Sequence, residues 1–103
     1  MFTVDYNDEK KLITLVFAGR LDTQTTHQIN ELLEVEPVMK NRMGEEQIVV
    51  DLKDVEYVAS AFIRTCVRIA QEAGSGRFAI IHCQPFVRKT FKISGLDEVL
   101  NIS

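Results

Sequence analysis

Any chemistry this chain performs must start from its bases, nucleophiles and acids, and these are sparse. The two histidines, His27 and His82, fall on different expected elements, and neither has a Cys or His partner at metal-ligand spacing. Their structural roles would be a helix surface for His27 and a strand end for His82. Cys66 and Cys83 form no C-x-x-C pair and read as reduced, buried thiols. Gly74-Ser75-Gly76 is too short for a phosphate loop and lacks the following Lys-Ser/Thr, so it reads as a turn. No Gly-x-Ser-x-Gly elbow surrounds any serine. Asp51 and Asp54 stand at the end of an expected central strand, where α/β sheets often bind ligands. Strand ends also carry carboxylates because turns favour them. A small enzyme or ligand carrier would have to use Asp51, Asp54 and His82, and no base–nucleophile pair is visible among them. Arg88, Lys89 and Lys92 read as a solvated helix face whose cations complement the C-terminal dipole. These residues imply no catalytic group, no metal site and no cofactor.

Ser60 stands above that background. It opens a helix after a central strand and a short connection, so its hydroxyl should lie near backbone N–H groups that have no intrahelical partner. As an N-cap it would be worth about 1 kcal/mol. As a phosphoacceptor it would place a dianion at the positive end of the helix dipole. Ser60, Arg64 and Arg68 recur every four residues and form one stripe along the helix. Helical side chains lean towards the N-terminus, which carries Arg64 back over the first turn. The stripe is then either an anion site or a solvated basic face paired with acids such as Glu72. Phe62 must enter the core or stand exposed beside Ser60, and its spacing with Cys66 and Ile69 permits burial.

The elements that would position these residues follow from hydrophobic periodicity. Phe2, Val4 and Tyr6 alternate with polar residues, a strand with one wet face, and Asn7 to Lys11 is a polar turn. Leu12 to Ala18 is rich in β-branched residues and closes a hairpin that Gly19 ends. Asp22 and Thr23 offer N-cap oxygens for a helix with Ile29, Leu32 and Leu33 on one stripe. Pro37 either ends that helix or begins another turn around Val38, Met39 and Met43. Gln47 to Leu52 is a continuous apolar run suited to a strand covered on both faces. The helix from Ser60 carries Phe62, Ile63, Cys66, Val67, Ile69, Ala70 and Ala73 inward, with Gly74 as a left-handed C-cap and Ser75-Gly76 completing the turn. Phe78 to His82 is a further buried strand. Pro85 starts a helix with Val87, Phe91 and Phe86 inward, Gly95 stops it, and Val99 to Ile102 is a short last strand.

The order β-β-α-β-α-β-α-β predicts an α/β fold, one domain over residues 1–103, with a mixed sheet and helices mainly on one face. Its length suffices for a core without disulfide or metal staples. With 12 basic and 15 acidic residues the net charge is -3, against the basic excess expected of a nucleic-acid or anionic-membrane binder. Apolar runs reach roughly six residues, short of the ~20 of a membrane helix. The N-terminus lacks the basic start and apolar run of a signal peptide, so the expectation is a soluble, cytoplasmic domain.

Three segments resemble the STAS domain family, which includes bacterial anti-sigma factor antagonists. Phe17-Ala18-Gly19-Arg20-Leu21-Asp22 is similar to the family's strand-ending Gly-x-Leu-Asp. Val49 to Val55 is similar to its apolar strand, acid and turn. Pro85, Val87, Phe91, Ser94, Gly95 and Leu96 resemble its third-helix segment and the Ser-Gly-Leu that ends it. The family's phosphorylated antagonists carry Asp-Ser-Ser/Thr/Ala-Gly-Leu where this chain reads Ala59-Ser60-Ala61-Phe62-Ile63. The resemblance implies a non-enzymatic regulatory binding module without cofactor; the charge balance argues against nucleic-acid or membrane binding, and the size suits a monomer or weak dimer. Its partner would be an anti-sigma factor and serine kinase of the histidine-kinase-like ATPase type. By the same resemblance Ser60 is the phosphoacceptor, and Asp22, Ala59, Ala61, Phe62 and Arg64 form the partner-binding rim. The loss of the acid before Ser60 also suits a scaffold or transporter-associated subunit that is never phosphorylated.

Overall fold

The structure is a computed structural model that describes residues 2–42, 44–74 and 76–103. The expectations that rest on Met43 and Ser75 lie outside the described residues. The described strands are β1 (Phe2–Asn7), β2 (Leu12–Leu21), β3 (Gln47–Val58) and β4 (Phe78–Ile81). The helices are α1 (Thr23–Val35), α2 (Pro37–Lys40), α3 (Ser60–Ala73) and α4 (Pro85–Ser94). The strands form one sheet in the order β1-β2-β3-β4. β1 and β2 are the expected antiparallel hairpin, with Phe2 opposite Phe17 and Asn7 opposite Leu12. The helical crossovers then make β2, β3 and β4 parallel neighbours.

Alternation decides which face the helices cover. Ile13, Leu15 and Phe17 of β2 and Ile48, Val50 and Leu52 of β3 are buried, each worth about 1.5–3 kcal/mol relative to exposure. Their alternates Thr14, Val16, Val49 and Asp51 are only partly buried, so the continuous apolar run of β3 has one covered face. The helices add Ile29, Leu33, Phe62, Cys66, Ile69, Val87 and Phe91 to the same core.

Several boundaries differ from the sequence expectation, each for a local reason. β2 does not end at Gly19. That residue adopts φ +89 and the strand bends through it to Leu21. β3 continues past Leu52 to Val58 in place of the expected turn at Asp54. It does so by inserting one extra residue between the Val16–Asp51 and Ala18–Asp54 pairs and another between Gly19–Val55 and Arg20–Tyr57. Pro37 starts α2, with Glu36 Oε1 accepting from Val38 N–H at 3.3 Å. Gly74 caps α3 at φ 93, ψ 167, an extended conformation in place of the left-handed one expected, whereas Gly95 is left-handed at φ 79, ψ 10. Leu32 and Phe86, expected inward, are 50% and 64% exposed. The last expected strand is reduced to a single bridge between Ile102 and Ile80, and Leu100 is buried from a turn.

Candidate functional site

β2 and β3 are parallel neighbours paired to Leu21 and Val58, so the helices that follow them start at the same edge of the sheet. The Ala59 N–H donates to the Leu21 carbonyl at 2.9 Å and ties the two exits together. Asp22 and Ala59 therefore occupy equivalent cap positions at the heads of α1 and α3, and Ser60 follows as the first residue of α3. Asp22 Oδ1 accepts from the Thr25 N–H at 2.8 Å and is the α1 N-cap. That backbone N–H, with the Thr25 hydroxyl, holds the exposed Asp22 carboxyl below the usual carboxylate range.

Ser60 departs from the expected N-cap role. The cap residue is Ala59, at φ -87, ψ 163, and among the described residues no side chain caps this helix end. Ser60 is the first helical residue and is exposed, and its hydroxyl takes no hydrogen bond from another described residue. The Phe62 and Ile63 N–H groups both donate to the Ala59 carbonyl, at 2.9 and 3.3 Å.

The rim expected around Ser60 is only partly on the surface. Ala61 and Arg64 line a groove between α1 and α3, and Asp22 is exposed beside it. Phe62 is corrected to a core residue. It is 0% exposed, and its ring meets Phe17 edge-on at 5.1 Å and 77°. Phe17 in turn stacks on Phe2 at 5.3 Å. Ala59 is also buried, because its backbone joins the two strand exits. Neither side chain is available as a rim in this conformation.

The groove joins Thr23, His27 and Arg68, each read separately in the sequence, to Asn30 and Thr65, which the sequence reading passed over. Thr23, His27 and Asn30 come from α1, and Thr65 and Arg68 join Arg64 from α3. Their spacings, 23-27-30 and 61-65-68, are the helical repeat of a polar stripe, a signal that could have been read. The buried Thr65 hydroxyl lies 2.9 Å from Asn30 Oδ1, which also accepts from Arg68 Nη2 at 3.3 Å. Arg68 thus faces Asn30, not the Glu72 carboxylate expected to pair with the basic face. The Glu72 carbonyl instead accepts from Arg42 Nη1 at 3.0 Å.

The other expected chemistry separates. His82 Nδ1 lies 3.2 Å from Asp51 Oδ1, which also accepts from the Lys53 N–H at 3.0 Å. His82 has φ 58, so this pair straps a strained strand end. Asp54 is exposed and is not part of it. Burial pushes the half-buried Cys83 thiol up to about 11 and raises the fully buried Cys66 further. Neither thiol is an activated nucleophile at neutral pH. Among the described residues no cluster of His, Cys, Asp or Glu could hold a metal ion.

The family model described as "Mlab, STAS domain" matches residues 4–101. The chain belongs to the STAS domain family. A candidate anti-sigma factor antagonist of Bordetella bronchiseptica, BtrV, is 29% identical over 75 residues, which is 71% of this STAS chain and 65% of that protein. The chain thus spans just under two thirds of the length of this curated relative. The crystal structure of a candidate anti-sigma factor antagonist from Thermotoga maritima superposes with a TM-score of 0.79 at 23% identity, over 99% of this chain and 85% of that one. The anti-sigma factor antagonist SpoIIAA in its unphosphorylated form gives 0.74 at 19% identity, covering 100% and 88%. The phosphorylated form of SpoIIAA, a Bacillus cell fate determinant, gives 0.67 at 18%, covering 100% and 91%. At these identities the structural likeness establishes the fold alone, that of a STAS domain.

Proposed function

We propose that this STAS domain is a non-enzymatic regulatory module that binds a protein partner through the shared head of α1 and α3, and that phosphorylation of Ser60 releases it. The partner is an anti-sigma factor with serine kinase activity of the histidine-kinase-like ATPase type. The module acts in the cytoplasm as a monomer or weak dimer. The observation that carries this reading is the exposed hydroxyl of Ser60, unengaged among the described residues, at the first position of α3, one residue past the cap position that Asp22 holds on α1. A phosphate there adds about -1.5 to -2 charges and three acceptor oxygens. The dipole of α3 favours the dianion, while an acidic or apolar partner surface is repelled by it. Asp22, Ala61 and Arg64 form the accessible part of the contact surface.

A second reading, a constitutive scaffold or transporter-associated subunit, draws support from two features. Ala59 stands where phosphorylated antagonists carry Asp, and Phe62 fills the core where they carry glycine. Affinity capture from the native cytosol followed by mass spectrometry identifies the partner, and Ser60 variants then separate the readings. With the switch, Ser60→Glu folds normally and loses the captured partner by at least about tenfold, while Ser60→Ala keeps it. Binding of Ser60→Glu at wild-type strength removes the switch and leaves the scaffold.

A further inference from the structure

The chain has three more acids than bases, yet among the described residues one concave surface is lined by no acid, Asp22 lying beside it as the α1 cap. The groove between α1 and α3, about 440 Å³, is lined by Thr23, His27 and Asn30 on one wall and Arg64, Thr65 and Arg68 on the other. Among the described residues neither arginine has a carboxylate within ion-pair distance. Glu34 and Glu72 lie in the adjoining hollow that shares Arg68. Arg68 Nη2 donates to the Asn30 amide oxygen, and the single Thr65 hydroxyl proton is shared between that oxygen at 2.9 Å and the Ala61 carbonyl at 3.1 Å, so the Asn30 NH2 is what this side chain has left to offer. Thr65 is 3% exposed, and it fixes Asn30, which in turn orients the Arg68 guanidinium. The groove is therefore rich in hydrogen-bond donors, and the Asn30 acceptor in it is already engaged.

We infer that this groove is the seat of an acidic segment of the protein partner, with two carboxylates that pair with Arg64 and Arg68. The inference deepens the partner-binding reading above and rests on it for the identity of the face. The spacing selects the occupant. Residues four apart on a helix are separated by about 6 Å along its axis. Carboxylates at i and i+4 of a helix, or i and i+2 of a strand, match that separation. A lone phosphate suits the groove less, because such sites converge backbone amides on one point. The free first-turn amides of Thr23 and Ala61 lie at one end of the lining, whereas Asn30, Arg64, Thr65 and Arg68 lie further along the helices, whose ladders consume their amides.

The test uses the whole chain with hexaglutamate, hexaglutamine and inorganic phosphate as probes, followed by amide chemical shifts at two salt concentrations. Hexaglutamate should shift α1 and α3 resonances around Asn30 and Arg64, weaken with salt, and lose at least about tenfold in affinity in Arg64→Gln and in Arg68→Gln. Hexaglutamine should do neither. Lys89→Gln on α4 controls for general attraction to basic surface and should bind as wild type. Tighter binding of phosphate than of hexaglutamate at these residues would make this a dianion site and overturn the proposal. So would an absence of shifts in the groove, or an equal loss in Lys89→Gln. None of these probes reads Ser60, so loss of the phosphoswitch with hexaglutamate binding intact would overturn only the switch.

Discussion

At the scale of single residues, Phe62 and Ser60 are close neighbours with opposite fates. Position 62 turns towards the sheet, where Phe17 receives it edge-on, and position 60 turns to solvent. Phe62→Ala should destabilise the domain by about 3–5 kcal/mol, the range for deleting a buried aromatic ring. Chemical denaturation with constant m-value measures it, and a change below about 1 kcal/mol would place the ring outside the core. That Phe62 could be buried was legible in its spacing with Cys66 and Ile69. That it is buried was not, because the space for it is made by Phe17, which is remote in the chain and set opposite by strand register. Ser60 was read as the helix cap for a related reason. A Ser at a strand–helix junction is the favoured cap, but here the cap position is fixed by the bond from Ala59 to Leu21.

At the scale of elements, the helix ends carry the most local conformational information. Gly74 and Gly95 both close helices at positive φ, but with different ψ. A Cβ on Gly95 meets nothing within 4 Å, and on Gly74 only the Arg77 guanidinium at 4.0 Å, so any loss in an alanine variant is a backbone effect. Gly95→Ala should cost about 1 kcal/mol for a left-handed residue. Gly74→Ala should cost more, about 2–3 kcal/mol, since its extended positive-φ region is essentially closed to other residues. Thermal melts of the two variants rank them, and the reverse order would contradict the α3 terminus described here. The sequence placed both glycines at helix ends because loss of periodicity and a Gly coincide there. It could not distinguish their ψ values, which depend on the path each loop takes next. The same limit applies to β3, whose two inserted residues let an expected turn continue as strand to Val58.

At the scale of the whole molecule, burial of both thiols links stability to alkaline pH. The Cys83 thiol is raised from 9.0 to about 11 by desolvation, and Cys66 is raised further. A raised folded value means that the folded state retains protons the unfolded chain has lost. The stabilisation is complete below about pH 9 and declines as pH rises towards 11 for Cys83, continuing beyond that for Cys66. Denaturant midpoints measured from pH 7 to 11 should fall above pH 9, and Cys83→Ala should flatten part of the fall. A wild-type midpoint that does not change across this range would show that the thiols are solvated. Maleimide labelling at pH 8 should be slow in the native state and fast once the chain unfolds.

Most of the elements were decided by the sequence alone, because a strand or helix announces itself within a few residues through its period of burial. The hairpin, the three long helices and the parallel central strands all follow from such local patterns and from the handedness of crossovers. The family resemblance was legible for the same reason, since its segments are the punctuation between elements. The groove was decided by tertiary structure. Thr65 and Asn30 are 35 residues apart, and Arg68 and Asn30 38 apart. No periodicity reports a pairing at such separation. It depends on two parallel strands ending in register, so that α1 and α3 start side by side and set their polar stripes against each other.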